Sequence, residues 1–239
     1  AAAFTLINLI YGYFILPESL DKKNRRKFDI KRANPIGTLM SLKRYPVISG
    51  LLICIVLFNI AQHATHSTWT FFTIEKFDWS EKLVGYSLGF IGLLAAIVQG
   101  GLIRVIIPKL GNVKSVYFGM IFYILGLSLF TLAKEGWMVF AFSIPLSLGG
   151  ISGPALQGIM TNKIPDDEQG EFQGGMTSLV SLTAIIGPLL MTNLFSYFTS
   201  ENSFYYFPGA PFMVGAIISF FGLIIAVRFL SGSRGGSSI

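Results

Sequence analysis

Between Pro46 and Leu230 the chain carries six stretches of mostly apolar residues, each long enough to cross a bilayer. A hydrocarbon core about 30 Å thick needs about 20 such residues in a helix. The stretches run over Pro46–Phe72, Leu83–Ile107, Val116–Ala133, Trp137–Thr161, Gly174–Phe198 and Tyr205–Phe229. Lipid offers no hydrogen bonds, so each stretch must satisfy its own backbone N–H and C=O groups, which only a helix does locally. The expectation is an all-α integral membrane protein, a six-helix bundle embedded in the lipid bilayer. A further apolar piece, Ala1–Leu16, is too short to span and reads as the end of a preceding transmembrane helix.

Charge decides the orientation. Apolar residues make up 52% of the chain and charged ones only 13%, far below the share of about 25% usual in soluble domains. The net charge is +6, but its placement does not suit nucleic acid. When connections are assigned alternately to two sides, 15 of the 18 Lys and Arg fall on one side; only Lys76, Lys82 and Lys134 fall on the other. Cytoplasmic loops carry such an excess. The segment Pro17–Tyr45, the loops at 108–115 and 162–170, and the C-terminus are therefore expected in the cytoplasm.

Pro17–Tyr45 is a basic linker with prolines at 17 and 35, and 231–239 is a Gly/Ser-rich tail expected to be disordered. All later connections are short, which makes consecutive spans antiparallel neighbours. Trp69, Trp79, Trp137, Tyr205 and Tyr206 read as aromatic markers of the water interfaces. The end of one span, a long basic linker and six further spans are the arithmetic of half a twelve-helix transporter, whose halves pivot about a site between them.

None of the 12 acidic residues lies within the six stretches. That removes paired-carboxylate hydrolysis and an intramembrane metal site, and no nucleophile–base set or phosphate loop is present. Enzymatic activity is not expected, nor any cofactor. Cys54, the single cysteine, permits no disulfide within the chain and reads as an inert buried thiol.

The polar residues of the spans fall in stripes. In the first span Asn59, Gln62, His63, His66 and Thr70 recur at helical spacing and include both histidines of the chain. Such groups usually face a bundle interior or a wet cavity. Histidine exchanges a proton near neutral pH, so this face could line a substrate cavity with proton coupling, or its members could be fixed hydrogen-bond partners. With no carboxylate in the spans to offset a charge, both histidines are expected to act as neutral partners for substrate or for Asn59 and Gln62. The fourth span carries Ser147, Gly150, Pro154, Gln157 and Thr161, and the fifth Thr177, Ser181, Ala184 and Pro188. Here cavity lining and ordinary packing remain open, with Pro154 and Pro188 expected to bend their helices beside the pairs Gly149-Gly150 and Gly187-Pro188.

Gly85, Gly89, Gly92, Ala96 and Gly100 give the second span a small-residue face suited to close helix contact, with Gln99 one step off it as a weaker cavity candidate. The third and sixth spans are almost wholly apolar and are expected outside, facing lipid. The run Asp166-Asp167-Glu168 and Gln169 precede the fifth span, where negative charge favours a helix start. Asp167, Glu168 and Gln169 are also candidates for a gating loop.

The stretches Gly153-Pro154-Ala155-Leu156-Gln157-Gly158, Asp167-Glu168-Gln169-Gly170-Glu171-Phe172 and Ile186-Gly187-Pro188-Leu189 resemble the C-terminal half of tetracycline-efflux antiporters of the major facilitator superfamily. Val84-Gly85-Tyr86-Ser87-Leu88 and Glu135-Gly136-Trp137 fit the same half. The resemblance implies spans seven to twelve of twelve and the end of span six. It also implies drug efflux driven by the proton gradient, a missing N-terminal six-helix partner half, and a small amphiphilic drug, free or as a metal chelate, as substrate. The family's strongest signatures belong to the other half. The internal copy of its loop motif here, Arg104 to Lys114 around Gly111, contains no acidic residue, and Ala95 stands where the family's membrane histidine aligns. A transport-inactive membrane fragment and an importer of a polar solute are the competing readings.

Overall fold

A computed structural model of the chain describes residues 2–15, 46–201 and 203–232, and among these residues the regular structure is entirely helical. Helix α1 covers Ala2–Ile15 and α2 covers Pro46–Phe77. Helix α3, Glu81–Ile97, passes through a π-helical turn at Val98–Leu102 into α4, Ile103–Leu132. Then α5, Gly136–Leu148, runs through a 3-10 turn at Gly149–Ile151 into α6, Ser152–Thr161. Helix α7 is Gln169–Thr199 and α8 is Ala210–Gly232. The expected linker at 17–45 lies outside the described residues. So does the tail from 233 onward, whereas Ser231 and Gly232 close α8 instead of joining that tail.

Five apolar helical runs are long enough to cross a membrane, one of them the 52-residue run Glu81–Leu132. At 1.5 Å per residue such a run would be about 78 Å long, against a hydrocarbon core of about 30 Å. Gly111 breaks it: its φ of 75° and ψ of 160° lie outside the helical region and in left-handed space that glycine tolerates. The run is therefore the second and third spans joined by a one-residue turn. The expected eight-residue connection at 108–115 is otherwise helical up to that glycine and again after it.

The packed core joins α2, α4 and α8. Ile48, Leu51, Ile55, Phe58, Ala61 and Trp69 of α2 are buried, as are Val116, Met120, Tyr123, Leu127 and Phe130 of α4. Helix α2 packs most extensively on α8 and α7, and α4 on α8, α5 and α6. The third and sixth spans are thus not simply outer helices. Each presents a lipid-exposed face (Ile121, Leu125 and Leu132; Ile217, Phe220 and Phe221) opposite a buried one. The α4–α5 crossing is close because of glycines. A Cβ on Gly126 would stand 2.7 Å from Leu146 Cα, and one on Gly119 would stand 2.6 Å from Ser152 N.

Two further expectations are corrected. Among the described residues the glycine face of the second span makes no close contact: a Cβ on Gly85, Gly89, Gly92 or Gly100 would meet no atom of theirs within 4 Å. The fourth span tightens into a 3-10 turn at the Gly149-Gly150 pair, where a bend is expected. Pro154 follows in the first turn of α6, and Pro188 lies inside α7. Trp69 and Trp79 are buried, at 3% and 8% exposure, so only Trp137, 66% exposed, has the accessibility of an interface tryptophan. At the end carrying Lys76, the Tyr206 hydroxyl donates to Glu75 Oε1 at 3.0 Å, tying the last connection to the end of α2.

Candidate functional site

A cavity of about 520 Å³ opens among the first four spans. Helix α2 supplies Phe58, Gln62, Thr65, His66, Trp69 and Thr70 at helical spacing along one face. Helix α3 contributes Leu88, Ile91 and Ala95, and its π-helical extension contributes Gln99. The π-helical turn re-aims the chain where the ordinary helical period would continue. Tyr123 comes from α4, Leu146 and Ser147 from α5, and Gly150 from the 3-10 turn. Gly150 leaves the space across which the Gln99 amide lies, 4.0 Å from where a Cβ would be.

The aromatic walls are held in place. Trp69 Nε1 donates to Ser87 Oγ at 2.9 Å, and Ser87 Oγ donates in turn to the Val84 carbonyl at 2.7 Å. The indole also meets Phe130 edge-on, with ring centroids 5.3 Å apart. Phe58 leans on Tyr123 at 4.7 Å. The Tyr123 hydroxyl sits beside Thr65 without reaching hydrogen-bond geometry, and the Ser147 hydroxyl is buried with no partner among the described residues. Thr65 spends its own donor on the Gln62 carbonyl at 2.9 Å. The cavity therefore combines flat apolar walls with amide, hydroxyl and imidazole groups, a lining suited to an amphiphilic molecule with aromatic faces and polar edges.

The expected sites divide. Gln62, His66, Thr70, Gln99 and Ser147 come together in this cavity. Asn59 does not reach it and donates to the Ile55 carbonyl of its own helix at 2.9 Å. His63 turns toward α7: its ring lies so close to Gly187 that a Cβ there would overlap it, and its Nδ1 is 3.5 Å from Ser67 Oγ. The two histidine rings stand edge-on, 6.2 Å apart, so the polar stripe splits between a cavity branch and a packing branch. Pro154, Gln157, Thr177 and Ser181 are exposed and line no part of this cavity. The fifth span is therefore replaced by the third, through Tyr123, among the walls.

Gln169 of the gating-loop candidates has a structural task. Its Nε2 donates to the Thr161 and Ile164 carbonyls, both at 2.8 Å, satisfying acceptors left open at the end of α6. Asp167 and Glu168 belong to the short 3-10 turn that leads into α7. No three His, Cys, Asp or Glu residues assemble into a metal-binding group among the described residues.

Sequence reasoning missed Tyr123, Trp69, Thr65 and Phe58. For Tyr123 a signal existed: it is a hydroxyl-bearing residue at the same helical spacing as Val116, Met120 and Leu127.

The family model of the Major Facilitator Superfamily matches residues 1–174. The chain belongs to this superfamily. It is 30% identical over 218 residues to a class C tetracycline resistance protein of Escherichia coli, which covers 91% of the chain and 54% of that relative. It is 34% identical to the class E protein of Escherichia coli, over 82% of the chain and 48% of the relative. It is 32% identical to the class D protein of Salmonella ordonez, over 96% of the chain and 56% of the relative. This superfamily member thus spans about half the length of the curated relatives it matches. Ala95 lies in the same cavity as His66.

Proposed function

We propose that the chain forms the C-terminal half of a proton-coupled drug exporter of the bacterial inner membrane, its basic end facing the cytoplasm. The observation that carries this reading is the 520 Å³ cavity, in which Gln62, His66, Gln99 and Ser147 are set against Phe58, Trp69 and Tyr123. Similarity to tetracycline resistance proteins points to a tetracycline-like molecule, free or as a metal chelate, as the occupant. Its fused rings suit the aromatic walls and its oxygen-rich edge suits the amides and hydroxyls. Alternating access requires two repeats rocking about a shared site, so this half works with an N-terminal partner half that closes the cavity from the other side.

The test uses everted membrane vesicles containing the full-length protein of which this chain is a part. Tetracycline should accumulate inside them when a proton gradient is imposed and should leak out on adding an uncoupler. Gln62→Ala, Gln99→Ala and His66→Asn should each raise KM about 10-fold, the loss of one hydrogen bond to a polar ligand. His63→Gln should act differently, altering kcat through the α2–α7 contact. Vesicles holding this chain alone should show no gradient-driven flux. Absence of uptake by the full-length protein, or unchanged KM in all three cavity variants, refutes the reading.

A further inference from the structure

The cavity among the first four spans is not uniform along its length. At one end the polar groups are satisfied: the Trp69 indole gives its proton to Ser87 and rests edge-on against Phe130. Tyr123 stands seven residues before Phe130 on α4, about 10 Å away along the helix axis. Around Tyr123 the polar groups are open. Its ring fills the notch left by Gly149, where a Cβ would stand 2.6 Å from both Cβ and Cδ2 of the tyrosine. Phe58 leans on the same ring, so the phenol is held in place. Tyr123 is 5% exposed, and its hydroxyl has no hydrogen-bond partner among the described residues. The neighbouring Thr65 has given its own proton to the Gln62 carbonyl. The Ser147 hydroxyl is likewise buried without a partner, and the Gln99 carboxamide lies across Gly150 beside it. Two buried hydroxyls thus stand unpaired at one end of one cavity. Such groups cost stability and call for something that completes them.

We propose that Tyr123 and Ser147 determine specificity in the drug site, their hydroxyls donating to two uncharged oxygens on one edge of a planar occupant. The inference rests on the exporter reading above and narrows it to a class of ligand and an orientation. The class is a polycyclic ring system with keto, enol or phenol oxygens along one edge. That edge faces Tyr123, Ser147 and the Gln99 amide, and the bare rings lie toward Trp69 and Phe130. A carboxylate or phosphate suits this end poorly, because hydroxyls and amides bring no charge to offset its desolvation. Both hydroxyl oxygens belong to lining residues but are screened from water, so the occupant presses into the wall to reach them. The 3-10 turn at Gly149–Ile151 is where that wall yields, since its hydrogen bonds are poorer than those of an α-helix.

The experiment is equilibrium dialysis of the purified full-length protein in detergent, with no gradient, against tetracycline or ethidium. Tyr123→Phe and Ser147→Ala each remove one hydroxyl and nothing larger. Each should raise the Kd for tetracycline about 5-fold, the loss of one hydrogen bond between neutral groups. Without drug, each variant should melt at or above the temperature of the parent, because a buried hydroxyl without a partner has been removed. Ethidium is planar and polycyclic but carries no oxygen; it should bind more weakly than tetracycline and respond to neither substitution. Equal weakening of ethidium, or a lower melting temperature in both variants, overturns the proposal, the latter because the hydroxyls would then be paired within the protein. An unchanged Kd for tetracycline in both variants overturns it while leaving the exporter reading intact. Absence of tetracycline binding by the unaltered protein removes the proposed occupant and this inference together.

Discussion

Alanine at Gly126 probes the crossing on which the cavity depends. The new Cβ would stand 2.7 Å from both Cα and N of Leu146 and 2.8 Å from its Cβ. Carbon atoms rest at about 3.5–4.0 Å, so α4 and α5 must part by about 1 Å. The atoms struck are mainly backbone, and no rotamer change relieves them. Overpacking of this kind costs about 1–3 kcal/mol. Replacing a mid-helix glycine by alanine recovers about 0.5–1 kcal/mol of backbone entropy, leaving a net loss of about 1–2 kcal/mol. Gly89→Ala is the internal control, because a Cβ there meets nothing within 4 Å and only the entropic gain remains. Thermal unfolding in detergent, followed by circular dichroism, measures both. At about 2–4 °C per kcal/mol for a chain of this size, Gly126→Ala should melt about 2–8 °C lower and Gly89→Ala up to about 4 °C higher. If Gly126→Ala melts with the unaltered protein, or Gly89→Ala falls as far as Gly126→Ala, the assignment of close and open glycines is refuted.

Ser87→Ala removes the acceptor of the buried Trp69 indole and should cost about 1–2 kcal/mol. The same variant should shift tryptophan emission, while acrylamide quenches chiefly the exposed Trp137; emission unchanged from the parent would count against the indole hydrogen bond. Burial and then the neighbouring Glu75 push the Tyr206 phenol above its ordinary value of 10.0. The neutral phenol is the donor, so its contribution is complete below that ordinary value and lost as pH rises through the raised one. Tyr206→Phe should therefore be less stable than the parent at pH 8, and denaturation midpoints should converge in strong alkali; a gap constant with pH would rule the contact out as its source.

The spans were legible because lipid forces about 20 apolar residues into one helix. Which face of a span packs was not legible. Lipid tails are as apolar as leucine, so a buried Val116 and an exposed Ile121 look alike in sequence. The glycine faces misled for a related reason. Small residues permit close approach without stating what approaches, and Gly126 meets Leu146 whereas Gly89 meets nothing among the described residues. The polar stripe of α2 was legible as a stripe, but only three-dimensional packing sends His66 to the cavity and His63 to Gly187.

The open surfaces have a physical consequence. Gln157, Thr177 and Ser181 are exposed on α6 and α7, and the glycines of α3 stand uncovered. A glutamine amide facing hydrocarbon leaves its donors and acceptor without partners, at a cost of several kcal/mol. Uncovered glycines also forgo the close packing through which membrane helices associate. The outward faces of α4 and α8 carry no comparable debt: their residues are Ile121, Leu125, Ile217 and Phe220, which lipid solvates well. The chain is thus two-sided, with one surface finished for lipid and another bearing polar and small residues that lipid serves poorly. On the reading proposed above, that second surface and the mouth of the cavity beside it belong against the partner half, so Gly89→Leu should leave this chain folded while impairing the full-length protein. Equal impairment of both would place the defect within this half and remove the argument for a covered surface.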